Sequence, residues 1–156
     1  SSNIGVIGTK ATIESRVYET QINTFCRHAK TYSLATPLLA PMIEEGFINE
    51  KISNAIITNY LSDSKLKDID HLILACTHYP LIYKNINQYY KGGVNVIDSA
   101  NIVAKHVKFT LGKMKLLNKN KKGEHYFYVS NYTKSFEKSA KFFFQEDIKL
   151  EEKVLI

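Results

Sequence analysis

The chain has few of the features that mark disulfide-stapled, membrane-spanning or zinc-binding proteins. Its two cysteines, Cys26 and Cys76, form no CxxC pair, which argues against a disulfide framework and favours a reduced, cytoplasmic protein. The histidines lack the spacing of a zinc site, so we expect no metal. No apolar run reaches the roughly 20 residues of a membrane span, and the N-terminal residues do not resemble a signal peptide.

The composition is that of an ordinary globular protein. Hydrophobic residues make up 44% and charged residues 23% of the chain, values typical of a folded domain. A length of 156 residues suffices for one domain, or for one domain and part of another. The chain begins with Ser rather than Met, which suggests processing or excision from a longer protein.

The positive charge is concentrated in one segment. The formal net charge is +6, and five lysines crowd into residues 113–122: Lys113, Lys115, Lys119, Lys121 and Lys122. Such a run is typical of a solvated loop, and no basic helix with interleaved aromatic residues accompanies it. We therefore expect no nucleic-acid partner. The alternative is a non-enzymatic basic α/β binding module, which a salt-dependent binding titration would reveal.

Strand-like and helix-like segments alternate along the sequence. Short apolar runs at residues 3–7, 32–35, 72–74, 94–97 and 125–129 predict strands. Between them, helical spacing predicts helices, the first capped by Thr12 and ending near Phe25. Residues 145–156 stay unassigned. The alternation predicts a three-layer α/β fold with a mostly parallel sheet flanked by helices.

Polar or reactive residues follow four of the predicted strands. These are the motifs Gly8-Thr9, Thr36-Pro37, Cys76-Thr77-His78 and Asp98-Ser99. Right-handed crossovers bring the carboxyl ends of parallel strands to one edge of a sheet, which is where open α/β sheets bind ligands. The sequence therefore predicts that the four motifs converge on one site.

Cys76 is the most informative residue of this set. A cysteine that ends an apolar strand is most often a buried, inert side chain, and His78 alone could be a structural histidine. Together, a thiol and a nearby imidazole can give a thiolate near neutral pH that acts as a nucleophile or a base. Backbone N–H groups beside Thr77 can bind an anionic group of a substrate.

The remaining candidates have plain alternatives. Residues 8–12 form either a simple strand–helix turn or an anion site with two threonine hydroxyls. Glu44 and Glu45 are either a solvated helix start or a carboxylate source for a substrate ammonium. Cys26 lies in a polar stretch beside Arg27 and His28, and we expect it to be incidental.

The motifs together resemble those of the glutamate racemase family, within the cofactor-independent aspartate/glutamate racemase superfamily. The matching segments are residues 7–15 (IGTKATIES), 40–45 (APMIEE), 74–80 (LACTHYP) and, more weakly, 96–100 (VIDSA). Ala75 stands where the family more often has glycine. The resemblance covers nearly the whole chain but only the C-terminal portion of the enzyme, because the Asp-Ser-Gly-Gly and Cys-Asn-Thr motifs of the family's first domain are absent.

This resemblance implies a domain organisation. Residues 1–98 correspond to the second α/β domain of the family, and residues 99–156 to a helix, loop, strand and helix that complete the first domain. Without that domain, apolar surface after Ser99 stays uncovered, so we expect a homodimer or swapped self-association.

The resemblance also implies an activity. Two cysteines on opposite faces of glutamate interconvert its L and D forms without a cofactor, and D-glutamate supplies peptidoglycan synthesis. Cys76 would be one of the pair, acting on L-glutamate, and His78 would assist its protonation. Thr9, Thr12 and Thr77 would bind substrate carboxylates, and Glu44 would approach the amino group or its proton network. This chain alone would be inactive; another amino-acid or hydantoin racemase is the alternative.

Overall fold

The chain forms two compact units. The computed structural model describes residues 2–48, 51–118, 123–144 and 146–154. Contacts between Cα atoms divide the chain into Ser1–His106 and Val107–Ile156. The division falls inside one helix, α6 (Ser99–Lys113). Assignment of residues 1–98 and 99–156 to two racemase domains remains a prediction.

The first unit is built on a four-stranded parallel sheet. Its strands are β1 (Asn3–Gly8), β2 (Lys30–Ala35), β3 (His71–Ala75) and β4 (Asn95–Asp98), in the order β2-β1-β3-β4. The intervening helices are α1 (Lys10–Glu14), α2 (Val17–Phe25), α3 (Leu39–Glu44), α4 (Lys51–Leu61) and α5 (Tyr83–Tyr90), with short 3-10 turns at Ser64–Leu66 and Tyr79–Ile82. The predicted α/β fold with a parallel sheet flanked by helices is confirmed.

The strand register brings the carboxyl ends of the strands to one level. Gly8 of β1 pairs with Ala35 of β2 and with Ala75 of β3, and Leu74 pairs with Asp98 of β4. Val6 and Ile7 are completely buried, as expected of a central parallel strand covered on both faces. The residues after Gly8, Ala35 and Ala75 therefore leave the sheet side by side.

The first helical segment differs from the prediction. Thr9, not Thr12, caps α1, because its side chain accepts a hydrogen bond from the Thr12 N–H. The helical segment ends at Phe25 as predicted, but it is interrupted, since α1 ends at Glu14 and α2 starts at Val17. Arg16 between them has a φ of 53°, in the left-handed region. The single predicted helix is thus two helices joined by a sharp turn.

The second unit contains a smaller sheet. Strands β5 (Phe127–Val129) and β6 (Leu150–Glu152) pair in parallel, and α7 (Lys134–Phe144) lies between them in sequence. Ala140 and Ile148 are buried. β6 falls in the segment that the sequence left unassigned. Lys119, Lys121 and Lys122 of the basic segment lie outside the described residues.

No helix within the described ranges is both long enough and apolar enough to cross a bilayer. α6 has no buried residue, and several of its apolar side chains are about half exposed: Ile102, Val103, Val107 and Phe109.

Candidate active site

A cleft of about 500 Å³ lies at the carboxyl edge of the four-stranded sheet. Its lining comes from the turns after β1 and β3 and from the adjoining helices. The lining residues are Thr9, Thr12, Tyr18, Ala40, Glu44, Ala75, Cys76, Thr77, His78 and Ser99. All six residues proposed from the sequence therefore lie in one cleft, as expected for loops that leave parallel strands on the same side.

Cys76 is the first residue beyond β3. Its thiol is free and half-buried, and it lines the cleft instead of being sealed in the interior. The sulfur Sγ lies 3.7 Å from Nδ1 of His78, within the distance for a weak hydrogen bond to sulfur. Thiol and imidazole are thus placed for proton exchange.

The other ring nitrogen of His78 faces a carboxylate. Nε2 lies 3.0 Å from Oε1 of Glu44, and the two side chains are 30% and 56% exposed. Glu44 is the last residue of α3. A carboxylate at Nε2 favours a proton on that nitrogen, which leaves Nδ1 to accept the thiol proton or, in the imidazolium, to donate to the thiolate.

Two threonine hydroxyls lie on another wall of the cleft. Oγ1 of Thr9 is 2.9 Å from Oγ1 of Thr12 and also accepts a hydrogen bond from the Thr12 N–H at 3.3 Å. The cap that starts α1 therefore fixes the positions of both hydroxyls. Hydroxyls held in this way can hydrogen-bond a carboxylate of a substrate.

One of the four predicted motifs, Thr36-Pro37, does not line the cleft, because Thr36 is buried against Tyr79. The hydroxyl oxygens of Thr36 and Tyr79 are 2.7 Å apart, and neither residue has exposed surface. The Tyr79 hydroxyl also donates to the Thr36 carbonyl at 3.2 Å. Burial raises the pKa of the Tyr79 phenol to about 12; the Thr36 hydrogen bond opposes this shift, and the charge of Cys76 adds to it.

Tyr18 and Ser99 complete the lining without having been proposed as substrate-binding residues. Ser99 follows β4, and its hydroxyl donates to the Leu74 carbonyl at 3.2 Å; its place after a strand was the signal. Tyr18 reaches the cleft because α2 begins anew at Val17. Sequence periodicity had indicated a continuous helix, so it gave no signal for Tyr18.

Cys26 lies away from this site. It is exposed and lines a different hollow with residues at the amino ends of the strands, including Ser2, His71 and Asn95. Within the described part of the chain, no group of three or more His, Cys, Asp or Glu residues could hold a metal ion.

Comparison with known proteins relates this arrangement to one enzyme family. The chain is 38% identical over 140 residues to "Glutamate racemase 2" of Caldanaerobacter subterraneus subsp. tengcongensis, covering 90% of this chain and 53% of that protein. It is 39% identical over 151 residues to the glutamate racemase of Persephonella marina, covering 97% and 56%. The chain is homologous to glutamate racemases. The family resemblance predicted from the sequence is thereby confirmed.

The fold agrees with the sequence relationship. The crystal structure of the Francisella tularensis glutamate racemase in complex with D-glutamate superposes with a TM-score of 0.88 at 34% identity, covering 100% of this chain and 58% of that one. No protein-family model matches. The chain spans about half the length of the glutamate racemases that it matches.

Proposed function

We propose that this chain is the C-terminal part of a glutamate racemase and that its cleft holds one face of the glutamate substrate. The main support for the proposal is that Cys76, His78 and Glu44 contact one another in series along the cleft. Cys76 Sγ lies 3.7 Å from Nδ1 of His78, and Nε2 of His78 lies 3.0 Å from Oε1 of Glu44. The glutamate racemases of similar sequence and the Francisella tularensis complex with D-glutamate support it.

In the proposed reaction, Cys76 exchanges a proton with the α-carbon of glutamate. Its thiolate removes the α-proton of L-glutamate, and in the reverse direction its thiol returns one. Inversion needs a second acid or base on the opposite face, because reprotonation from the same side restores the starting enantiomer. We assign that group to the half of the enzyme that lies outside this chain, so this chain alone does not racemise glutamate.

His78 and Glu44 prepare the thiol for this task. His78 contacts Sγ of Cys76 through Nδ1 and Glu44 through Nε2. The carboxylate at Nε2 holds the ring so that Nδ1 stays beside the thiol and can exchange a proton with it. Glu44 therefore acts through His78. The sequence predicted that Glu44 approaches the amino group of the substrate or its proton network, and we assign the contact with His78 to that network.

Thr9, Thr12 and Thr77 are the proposed carboxylate-binding residues. The hydroxyls of Thr9 and Thr12 are held 2.9 Å apart. Thr77, which lies between Cys76 and His78 in the sequence, also lines the cleft. Hydrogen bonds from such groups stabilise the negative charge that develops on the substrate when the α-proton leaves. No step of this mechanism calls on a cofactor.

The wider role remains a prediction. A cytoplasmic location accords with two free cysteines, and supply of D-glutamate for peptidoglycan follows from the family resemblance. Absence of a nucleic-acid partner also stays a prediction. An aspartate or hydantoin racemase is the alternative substrate class, which a comparison of glutamate with aspartate and a hydantoin would distinguish.

The activity is tested in a chimera. This chain is joined to the N-terminal half of the Persephonella marina glutamate racemase, its relative at 39% identity. Conversion of L- to D-glutamate is followed by circular dichroism, and α-proton exchange by NMR in D₂O. We expect racemisation by the chimera, none by this chain alone, and a rate loss of at least about 100-fold in Cys76→Ser.

Cys26→Ser is the matched control, since Cys26 lies outside the cleft. It should leave the rate unchanged. If the chimera racemises glutamate and Cys76→Ser does not lower its rate, the proposed role of Cys76 is contradicted. Substantial racemisation by this chain alone would contradict the division of the two acid/base groups between the two halves.

A further inference from the structure

The buried pair formed by Thr36 and Tyr79 ties together the ends of three strands. Thr36 follows β2, and its backbone N–H donates to the carbonyl of Gly8, the last residue of β1, at 2.8 Å. The Thr36 hydroxyl lies 3.2 Å from the same carbonyl. Tyr79 belongs to the turn after β3, and its hydroxyl oxygen is 2.7 Å from that of Thr36. Each hydroxyl also contacts a backbone carbonyl at 3.2 Å, that of Gly8 for Thr36 and that of Thr36 for Tyr79, so several buried hydrogen-bond contacts hold both side chains.

The same pair is connected to the reactive thiol. The backbone N–H of Tyr79 donates to the carbonyl of Cys76 at 3.2 Å, which closes a turn that contains His78. The anchored Tyr79 ring therefore fixes one end of the segment that carries both the thiol and the imidazole. Charge on Cys76 raises the pKa of the Tyr79 phenol, which agrees with their nearness.

We propose that Thr36 and Tyr79 are positioning residues that hold the Cys76–Tyr79 turn in the geometry in which His78 keeps the Cys76 thiol reactive. Neither residue lines the cleft and both are fully buried, so we assign neither a contact with the substrate. The contrasting interpretation is that the pair only adds stability to the sheet. The inference deepens the proposed function, but reactivity of the thiol is measurable without glutamate.

The experiment measures alkylation of Cys76 by iodoacetamide in the intact chain. Rates at pH 7 and pH 10 are obtained by mass spectrometry of the Cys76 peptide, and the exposed Cys26 serves as an internal reference. The variants are Thr36→Val, which keeps the shape but removes the hydroxyl, Thr36→Ser, which keeps the hydroxyl, and Tyr79→Phe.

We expect Thr36→Val and Tyr79→Phe to slow alkylation of Cys76 at pH 7 by at least about threefold, because a loosened turn weakens the support of the thiolate by His78. At pH 10, where thiols ionise without help, the rates should equal the wild-type rate. Thr36→Ser should restore the wild-type ratio of the two rates. Alkylation of Cys26 should be the same in every variant.

Ile57→Val controls for a general loss of stability. Ile57 is buried in α4 and does not line the cleft, so this variant lowers the melting temperature without changing the hydroxyl pair. The proposal is overturned if Thr36→Val and Tyr79→Phe keep the wild-type ratio of the Cys76 alkylation rates at pH 7 and pH 10. It is also overturned if Ile57→Val lowers this ratio by the same factor. Should Thr36→Val fail to fold, Tyr79→Phe decides alone. An inactive chimera would count against the proposed function and would leave this result standing.

Discussion

Nε2 of His78 lies 3.0 Å from Oε1 of Glu44, while Nδ1 of the same ring faces the Cys76 sulfur at 3.7 Å. The imidazole thus bridges a carboxylate at the end of α3 and a thiol at the end of β3. Both ring nitrogens thus face a group with which they can exchange or share a proton, and these two neighbours support the orientation of the ring.

The first prediction concerns this bridge. Glu44→Gln removes the negative charge at Nε2, so the imidazole is held less firmly in its place beside the thiol. Alkylation of Cys76 at pH 7 should slow about two- to tenfold, with no change at pH 10. Glu45→Gln is the matched control, since the neighbouring carboxylate does not line the cleft. Equal effects of both variants would show that general charge, not the His78 contact, sets the reactivity.

The second prediction concerns stability in alkaline solution. Burial raises the pKa of the Tyr79 and Tyr90 phenols to about 12, above the ordinary value near 10. Between pH 10 and 12 the unfolded chain therefore binds fewer protons than the folded chain. The free energy of unfolding is fully retained below pH 10 and should fall above it, by up to about 1.4 kcal/mol per pH unit for each tyrosine.

Tyr90→Phe tests this cause. Among the described residues, the buried Tyr90 hydroxyl has no hydrogen-bond partner. Its removal should leave the free energy of unfolding at pH 8 unchanged or raise it by about 1 kcal/mol, and should make the alkaline decline less steep. Urea unfolding at several pH values measures both. A decline as steep as in the wild type would exclude Tyr90 as a contributor.

The third prediction concerns the close packing around β1. A Cβ atom at Gly5 would lie 2.8 Å from Cδ1 of Ile69 and 3.1 Å from side-chain atoms of Leu66 and Leu72. Gly5→Ala should lower the free energy of unfolding by about 1–3 kcal/mol. Gly112→Ala is the control, because its nearest neighbour would be 3.5 Å away and alanine favours a helix by up to about 1 kcal/mol. In urea unfolding, Gly5→Ala should lower the free energy of unfolding and Gly112→Ala should raise it.

The fourth prediction concerns self-association. α6 has no buried residue, and Ile102, Val103 and Val107 expose about half of their surfaces. Exposed apolar side chains of this kind favour contact with another chain. Molar mass by light scattering should rise with protein concentration, and Val103→Lys should reduce that rise. A constant monomer mass at both high and low concentration would contradict the prediction.

The location of the site could be predicted because it depends on topology. Alternating strands and helices indicate a parallel sheet, and parallel strands bring the residues after Gly8, Ala75 and Asp98 to one edge. Those residues do line one cleft, whereas the fourth predicted motif, Thr36-Pro37, does not, because Thr36 is buried. The same argument did not depend on knowing where each helix begins, so the errors in the N-cap and in the continuity of the first helix left it intact.

Some details could not be predicted from the sequence, because they depend on competition between neighbouring residues or on pairing with distant ones. Thr9 and Thr12 both suit an N-cap, and the choice between them depends on where β1 ends. The left-handed Arg16, which lets Tyr18 reach the cleft, has no signature in the residue pattern. β6 is three residues long and is stabilised by pairing with β5, a partner more than 20 residues away, so local propensity could not reveal it.

The amino-acid order alone determined the parallel α/β architecture, the edge at which reactive residues gather and the resemblance to glutamate racemases, because apolar periodicity and short motifs are local properties of the chain. Only the tertiary structure decided that Glu44, not Glu45, contacts His78, and that Thr36 and Tyr79 share a buried hydrogen bond. These contacts join residues 34 and 43 positions apart. Their geometry is set by the packing of whole strands and helices, which no local pattern encodes.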